Sequence, residues 1–310
     1  MDVLSTAPAT FIVGHPRSGT SLLRALLDGH TDILVLPFET HLFDWANSGD
    51  PVRSLLDRTR LWPTLHRHRP SISRDEAEDV LTRAFDQTRG PRARLVALVE
   101  GWRELTGAPS DTRWVEKTPR HLYEATTLLE WFPADARILA IRRDPRDVIA
   151  STLKQKPSRA IFQMALTGRL AHRIVTEHEG DSRFSVVAYE RLVRDPVGTM
   201  QAVCQFLEVP YDPVVVTPTV LGAEYSGNSR FDATLKGVSE AAVGRYREIL
   251  SEPQLERAEA LLAPVLSAGG YTPMHPTRAV RHPIAKAAIA TIVASGLWRS
   301  RALRAAFGGA

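Results

Sequence analysis

Short apolar runs alternate with longer amphipathic segments through the first two thirds of the chain. The runs are too short for core helices and rich in β-branched residues, which is typical of buried parallel strands. They occupy residues 10–13, 33–36, 114–116, 137–141 and 184–188. Parallel strands are joined by right-handed crossovers that place helices on both faces of the sheet. The alternation therefore predicts a three-layer α/β fold with a central parallel sheet flanked by helices.

The ends of the first two predicted strands carry glycine and polar residues. Gly14 ends the first run, and apolar residues at helical spacing follow over 20–27. A proline ends the second run, and the polar residues Glu39, Thr40 and His41 come directly after it. We expect these three side chains at the carboxyl edge of the sheet.

Two later helices have recognisable starts in the sequence. Thr118 and Asp144 each stand before a proline, which is the pattern of an N-cap followed by a first-turn proline. These starts predict helices from 118 to about 132 and from 144 through 151. A further amphipathic stretch over 159–179 leads into the last predicted strand.

Two regions depart from the strand and helix alternation. Residues from about 43 to 113 are punctuated by prolines and tryptophans, and they predict a helical insertion that acts as an acceptor-binding cap. Within it, His66 and His68 lack a nearby cysteine or aspartate cluster, so they are interpreted as solvated or substrate-facing rather than metal ligands. The sequence thus divides into a main domain over 1–275 and a tail over 276–310.

The tail is basic and then apolar, which predicts an amphipathic helix. Its uncharged run over 287–298 is shorter than the roughly 20 residues that cross a bilayer. Two alternatives stay open for this helix. It lies in a membrane interface as a peripheral contact, or it packs on its own core or on a second protomer in a homodimer.

Composition narrows the partners and the compartment. The 310 residues carry a formal charge of only +4, and the basic residues are dispersed, which disfavours a nucleic-acid partner and suits a small anionic ligand. Cys204 is the only cysteine, so an intramolecular disulfide is impossible and a reducing compartment fits. The first ten residues lack the pattern of a secretory signal. We expect a cytoplasmic protein, with membrane association through the tail as the alternative.

The segment between the first strand and the first helix has the spacing of a phosphate-binding P-loop. Glycines at 14 and 19 let backbone amides close around phosphate at a helix N-terminus. Thr20 occupies the position of the usual lysine, which disfavours a triphosphate kinase, and Arg17 supplies positive charge instead. From the loop alone, three alternatives remain: a chance glycine turn that joins a strand to a helix, a P-loop kinase or other phosphotransferase, and a non-catalytic nucleotide-binding protein on the same fold.

The loop resembles the 5′-phosphosulfate loop of sulfotransferases that use 3′-phosphoadenosine 5′-phosphosulfate (PAPS). The matching hexapeptide is Pro16-Arg17-Ser18-Gly19-Thr20-Ser21. Within that family the stretch is most similar to the tyrosylprotein branch, in which a Glu-Thr pair follows the second strand, as Glu39-Thr40 does here. The resemblance implies a P-loop-like sulfotransferase fold with PAPS as the co-substrate and no metal requirement.

The resemblance also implies further nucleotide contacts. Arg143 at a strand end and Ser151 eight residues later match the family's 3′-phosphate signature. Lys117 is similar to a lysine of the tyrosylprotein branch, although Thr118 replaces the following aspartate. The remaining counterparts are Tyr189, Ser229, Lys236 and Arg245. The spacing between Ser229 and Lys236 is one residue longer than in the tyrosylprotein pattern.

These likenesses imply a division of chemical roles. Glu39 is the general base on the acceptor hydroxyl, with His41 as the alternative, while Arg17 and Lys117 stabilise the leaving phosphate. The acceptor is expected to be a small-molecule, lipid or carbohydrate hydroxyl. A peptide tyrosine ranks below these because the chain lacks a secretory segment.

Overall fold

Five strands form one parallel sheet in the computed structural model, in the order β2-β3-β1-β4-β5. They are β1 (Ala9–Gly14), β2 (Ile33–Val35), β3 (Arg113–Lys117), β4 (Arg137–Arg142) and β5 (Phe184–Ala188). The structure describes residues 7–43, 69–86, 88–133, 135–155, 160–225, 237–275 and 282–295. Because β1 lies between β3 and β4, its carboxyl end opens at the point where the strand order reverses, the usual ligand site of such sheets.

Helices cover both faces of the sheet, which confirms the predicted three-layer α/β fold. In chain order they are α1 (Thr20–Leu27), α2 (Arg74–Asp86), α3 (Pro91–Thr106), α4 (Ala125–Trp131), α5 (Pro145–Gln155), α6 (Ile161–Glu177), α7 (Tyr189–Arg194), α8 (Pro196–Leu207), α9 (Tyr246–Ile249), α10 (Glu252–Gly269) and α11 (Pro283–Ser295). A short hairpin of β6 (Thr219–Val220) and β7 (Ala223–Glu224) lies outside the main sheet.

Strand alternation divides the core into two clusters. Phe11 and Val13 of β1 join the cluster formed with α3, α5, α6 and α10, while Ile12 joins the one formed with α1 and α8. Cys204 is buried in the second cluster. Burial of both sheet faces explains why the strands are continuous apolar runs in the sequence rather than alternating ones.

Two predicted boundaries differ from the structure near the site. The strand expected over 114–116 extends through Lys117, so that lysine is the last residue of β3. The helix expected from Thr118 begins as a 3-10 helix over Pro119–Glu124 and becomes α4 only at Ala125. The proline fixes the first turn, but the buried His121 then turns toward β3 instead of following an α-helical path.

The described part of the insertion closes the β2 edge of the sheet. Helices α2 and α3 pack against each other, and the indole of Trp102 donates to the carbonyl oxygen of Val35 at 3.1 Å. Trp102 also meets Phe38 edge to face, with ring centroids 6.2 Å apart. His66 and His68 lie outside the described residues. The role of the insertion as an acceptor cap stays a prediction.

The C-terminal helix α11 packs on its own chain. Ile289 and Val293 are buried, and the helix contacts α6 and α10. These two side chains are covered by the chain itself, whereas Ile284 in the first turn is 85% exposed. None of the described helices combines the length and the apolar character needed to cross a membrane.

Candidate active site

The phosphate loop turns tightly because two glycines take backbone angles and close contacts that side chains would prevent. Gly14 has φ 153°, and a Cβ there would lie 2.7 Å from the carbonyl oxygen of Ile141. Gly19 has φ 107°, and its Cβ would lie 2.5 Å from Cδ2 of Tyr189. The loop consequently lies directly on β4 and on the ring of Tyr189.

Arg17 joins the loop to the predicted 3′-phosphate residues. Its Nε donates to Ser151 Oγ at 3.0 Å, and its carbonyl oxygen accepts from Arg143 Nη1 at 3.0 Å. The Arg143 guanidinium also lies 4.5 Å from the ring centroid of Tyr189, a cation–π contact. We name these four residues, Arg17, Arg143, Ser151 and Tyr189, the Arg143 cluster. The structure thus brings together residues that are up to 172 positions apart, since 189 − 17 = 172.

Asp147, which the sequence analysis missed, fixes the far side of this cluster. Its carboxylate lies 3.9 Å from Arg143 Nη2 and accepts the backbone N–H groups of Gly244 and Tyr246 at 2.8 and 2.9 Å. Arg143 also donates to the carbonyl oxygen of Ala242. Asp147 therefore holds the segment that contains Arg245 beside Arg143, although it reads in the sequence as one more charge in a helix start.

The predicted Arg245 and its two companions have different outcomes. Arg245 lies in this segment, and its Nε is 3.6 Å from Glu248, so its contact with nucleotide stays a prediction. Ser229 and Lys236 lie outside the described residues. Pro16 contributes its carbonyl oxygen to His15 at 2.8 Å, and Thr20 is the buried first residue of α1.

The second group of predicted residues meets at the ends of β1, β2 and β3. Lys117, only 2% exposed, donates to Ser21 Oγ at 3.3 Å and forms an ion pair with Glu39. The other carboxylate oxygen of Glu39 lies 3.3 Å from Nε2 of His41. We name these four residues, Ser21, Glu39, His41 and Lys117, the Lys117 cluster. Lys117 thus bridges the phosphate loop and the predicted base.

Burial and neighbouring charges shift the pKa values of this pair in ways that matter for chemistry. Burial alone would raise the pKa of Glu39, but the hydrogen bonds from His41 and Lys117 lower that pKa to about 2. Burial and the nearby Arg24 guanidinium lower the pKa of Lys117 to about 8, although Glu39 opposes the shift. Glu39 is therefore a carboxylate at neutral pH, and Lys117 loses its charge only in mildly alkaline solution.

Arg24 is a second residue that the sequence analysis missed. It is the one charged residue of α1, and its Nη1 donates to the carbonyl oxygen of Pro37 at 2.7 Å. It therefore ties α1 to the turn that precedes Glu39 while adding positive charge near Lys117. A single arginine within an otherwise apolar helical run was the available signal.

Glu116 is a third missed residue and the most buried charge of the site, with 0% exposure. Its Oε1 accepts from Thr40 N at 3.2 Å, Thr40 Oγ1 at 2.9 Å and Thr118 Oγ1 at 2.5 Å. Its Oε2 faces His121 Nδ1 at 3.0 Å. Burial would raise the pKa of Glu116, but His121 and the two threonines hold it below its usual value. A glutamate inside a strand that is otherwise buried was the signal in the sequence.

The loop fits an anionic ligand. The buried Oγ of Ser18 and Nε of Arg143 have no hydrogen-bond partner within the described ranges. Ser18 also lines a cavity of about 60 Å³ beneath the loop, together with Ile141 and Met164. A buried polar atom without a partner is costly, and an oxyanion held by the loop would supply acceptors for such donors. Within the same described residues, no group of three or more His, Cys, Asp or Glu side chains is placed to hold a metal.

Comparison with known proteins decides the family. A model of the sulfotransferase family matches residues 8–213, which contain every strand of the main sheet, the phosphate loop and both clusters. The chain belongs to the sulfotransferase family. Membership confirms the sulfotransferase prediction over the P-loop kinase alternative, and it implies PAPS as the donor. The match ends before Ser229, Lys236 and Arg245.

Relatives and solved structures agree with this assignment. A protein-tyrosine sulfotransferase of Drosophila melanogaster is 27% identical over 285 residues, covering 86% of this chain and 52% of that protein. Protein-tyrosine sulfotransferase 1 of Danio rerio is 27% identical over 286 residues, covering 86% and 73%. The chain thus spans about half the length of the Drosophila relative. Among structures, the sulfotransferase domain of the Synechococcus PCC 7002 olefin synthase shares the fold, with TM-score 0.59, 23% identity and coverage of 86% and 95%.

The comparisons overturn the expected order of acceptors. A small-molecule, lipid or carbohydrate hydroxyl was expected ahead of a peptide tyrosine, but the related proteins are named protein-tyrosine sulfotransferases. That expectation was wrong because it rested on whether a secretory segment is present. Such a segment bears on location, whereas the acceptor is selected by the site itself.

Proposed function

We propose that this sulfotransferase moves the sulfuryl group of PAPS to the phenolic hydroxyl of a tyrosine in a peptide. The observation that carries the proposal is the position of Lys117, which contacts Ser21 of the phosphate loop and the carboxylate of Glu39. One cation therefore stands between the place for a phosphosulfate and a base. The peptide acceptor is supported by the relatives, which are named for it.

The Arg143 cluster and the loop supply the binding sites that PAPS requires. The N-terminus of α1 and the loop amides suit the 5′-phosphosulfate, since oriented N–H groups and the helix dipole favour negative charge. Arg143 and Ser151 would hold the 3′-phosphate by charge-assisted hydrogen bonds, which separates PAPS from nucleotides that lack this group. Tyr189, already beneath Gly19 and beside Arg143, completes this side of the pocket.

The transfer is an in-line displacement at sulfur. The phenolic oxygen forms a bond to sulfur while the bond from sulfur to the bridging phosphate oxygen breaks, and Glu39 takes the phenolic proton. The products are the sulfated tyrosine and 3′-phosphoadenosine 5′-phosphate. Arg17 and Lys117 would stabilise the negative charge that develops on the departing phosphate.

The ion pair between Lys117 and Glu39 couples donor binding to base strength. A carboxylate with a pKa of about 2 is too weak a base for a phenol. Phosphate oxygens on the loop would compete for the Lys117 ammonium and weaken its bond to Glu39. The pKa of Glu39 would then rise, because burial remains and the compensating cation is shared. The base is thereby strengthened when the donor is bound.

The test compares nucleotide binding with turnover. Calorimetry of the full chain should show tighter binding of 3′-phosphoadenosine 5′-phosphate than of AMP. Mass spectrometry should show a gain of SO3 on a peptide with one tyrosine, and none on the same peptide with phenylalanine. A Glu39→Ala variant should lose turnover and bind the nucleotide at least as tightly as the wild type, because Lys117 no longer has a competing carboxylate. Glu104→Ala, an exposed charge deletion on α3, is the matched control.

Three results would count against the proposal. Equal affinity for the two nucleotides would remove the PAPS site. Sulfation of a simple phenol without sulfation of any tyrosine peptide would remove the peptide acceptor. Full activity of Glu39→Ala with loss of activity in His41→Ala would transfer the role of base to His41.

A further inference from the structure

The turn that carries Glu39 and His41 is held by a buried carboxylate rather than by regular secondary structure. Thr40, between the two residues, is fully buried and gives both its backbone N–H and its hydroxyl to Oε1 of Glu116. The next residue, His41, donates its backbone N–H to Thr118 Oγ1 at 3.4 Å, and that hydroxyl in turn donates to Glu116. Glu116 is thus the common acceptor for the turn.

The turn is also strained. His41 has φ 46°, a left-handed conformation that residues with a Cβ seldom adopt. Such conformations persist only where the surrounding contacts enforce them. The hydrogen bonds from Thr40 and His41 to Glu116 and Thr118 are contacts of this kind. The same conformation lets the imidazole of His41 face the carboxylate of Glu39.

The end of β3 reaches this turn from both sides. Lys117 points toward α1 and contacts the side chain of Glu39, while Glu116, on the opposite face of the strand, contacts the backbone of Thr40. His121 fixes the second oxygen of Glu116 and meets the ring of Phe43 edge to face, with centroids 5.2 Å apart. The network therefore extends on both sides of the 39–41 turn.

We propose that Glu116 is a positioning residue for the sulfuryl transfer, which acts through Thr40 to set the orientation of Glu39 and His41. It touches no reacting group in this scheme. The inference rests on the proposed function, because it assigns Glu116 to the same reaction. Loss of its contacts should let the turn relax, displace the base and reduce turnover while the Arg143 cluster continues to bind nucleotide.

The first experiment removes one hydroxyl from this network. Thr40→Val keeps the shape of the side chain and deletes one hydrogen bond to Glu116, whereas Thr40→Ser keeps that bond. We expect kcat with a tyrosine peptide to fall about ten- to a hundredfold in Thr40→Val, as for a misplaced catalytic group, and to return in Thr40→Ser. Affinity for 3′-phosphoadenosine 5′-phosphate should stay within about twofold of the wild type in both.

A matched control separates this effect from a general loss of stability. Thr106→Val deletes a hydroxyl that donates to the Trp102 carbonyl oxygen at 2.8 Å, in α3 and away from the turn. This control should leave kcat unchanged. Glu116→Gln should reproduce the kcat loss of Thr40→Val, and the double variant should lose less than the product of the two single losses, because both act on one contact. Should Glu116→Gln fail to fold, the pair of Thr40 variants still decides the matter.

Failure of the positioning role of Glu116 can be distinguished from failure of the proposed sulfotransferase function. A wild-type protein that neither binds the nucleotide nor sulfates a peptide would overturn both proposals. If the wild type is active and both Thr40→Val and Glu116→Gln have the same kcat as the wild type, the positioning role alone is overturned. A fall in nucleotide affinity parallel to kcat, without rescue by Thr40→Ser, would also overturn it, since that pattern indicates general damage.

Discussion

The Arg143 cluster and the Lys117 cluster lie at the same loop, but different interactions hold them. In the Arg143 cluster, arginines bind carbonyl oxygens and a serine hydroxyl and stack on Tyr189. In the Lys117 cluster, a buried lysine is paired with a glutamate that also contacts His41.

These different interactions suit the two clusters to different parts of the proposed reaction, nucleotide binding in one and sulfuryl transfer in the other. Arginines held by carbonyl oxygens and a serine hydroxyl give the Arg143 cluster a fixed arrangement of positive charge that suits phosphate. The Lys117 cluster has charges whose pKa values depend on one another and on any anion in the loop. Substitutions in the first should therefore act mainly on binding, and substitutions in the second mainly on turnover. Arg17 contacts Ser151 and also lies in the loop, so its substitution should affect both nucleotide binding and turnover.

The largest effect is expected at Arg17. Arg17→Ala removes the cation that we propose stabilises the leaving phosphate, and loss of one such stabilising donor lowers kcat by about 10²–10³. Arg17→Lys keeps the charge but loses the Nε–H group that donates to Ser151, so its kcat should be intermediate. Steady-state kinetics with thermal unfolding as a control would measure both. An Arg17→Ala variant that loses stability but keeps kcat would contradict the assignment.

Gly19 tests whether the shape of the Arg143 cluster depends on the loop backbone. In Gly19→Ala, the new Cβ must displace the Tyr189 ring, and the alanine must adopt φ near 107°. Together these should lower the free energy of unfolding by about 2–4 kcal/mol. Gly180→Ala is the matched control, since Gly180 has φ 99° and open space around its Cβ position. Chemical denaturation should show the larger loss for Gly19→Ala. Equal losses would mean that backbone strain alone matters.

Ser151 tests the binding side of the comparison. Ser151→Ala removes one hydrogen-bond partner of Arg17 and one proposed donor to the 3′-phosphate. Affinity for 3′-phosphoadenosine 5′-phosphate should fall about tenfold, as for a hydrogen bond to a charged group, while AMP affinity stays unchanged. Calorimetry of the wild type and of Ser151→Ala would measure the affinity of each protein for both nucleotides. An equal loss for AMP would place Ser151 away from the 3′-phosphate.

The smallest effect concerns pH and the Lys117 cluster. Because the pKa of Lys117 is about 8, its ammonium loses the proton as pH rises through that value, and kcat/KM should decline on the alkaline side. Between pH 8 and 9 the protonated fraction falls about fivefold by simple titration. Lys117→Arg, whose guanidinium stays charged, should remove this decline while keeping some activity. A wild-type profile that stays flat to pH 10 would exclude the role of Lys117.

Much of the nucleotide side was predictable because it is built from local motifs. The glycines at 14 and 19, the arginine between them and the eight-residue spacing of Arg143 and Ser151 are fixed by a strand, a turn and a helix in succession. Local spacing sets where such residues stand on their elements, and parallel β1 and β4 bring both signatures to one edge. The family match over 8–213 spans both signatures, and their contacts with nucleotide stay a prediction.

The α/β class, the phosphate loop and the choice of Glu39, Arg17 and Lys117 as candidates follow from period, spacing and resemblance along the chain. The contacts of Glu116 with the 39–41 turn and of Asp147 with the segment around Arg245 become visible only in the folded chain. Both carboxylates bind backbone N–H groups more than 75 residues away, as 116 − 40 = 76 and 244 − 147 = 97. A buried charge takes its partners from whatever the fold brings near it, and no local pattern records which backbone groups those are.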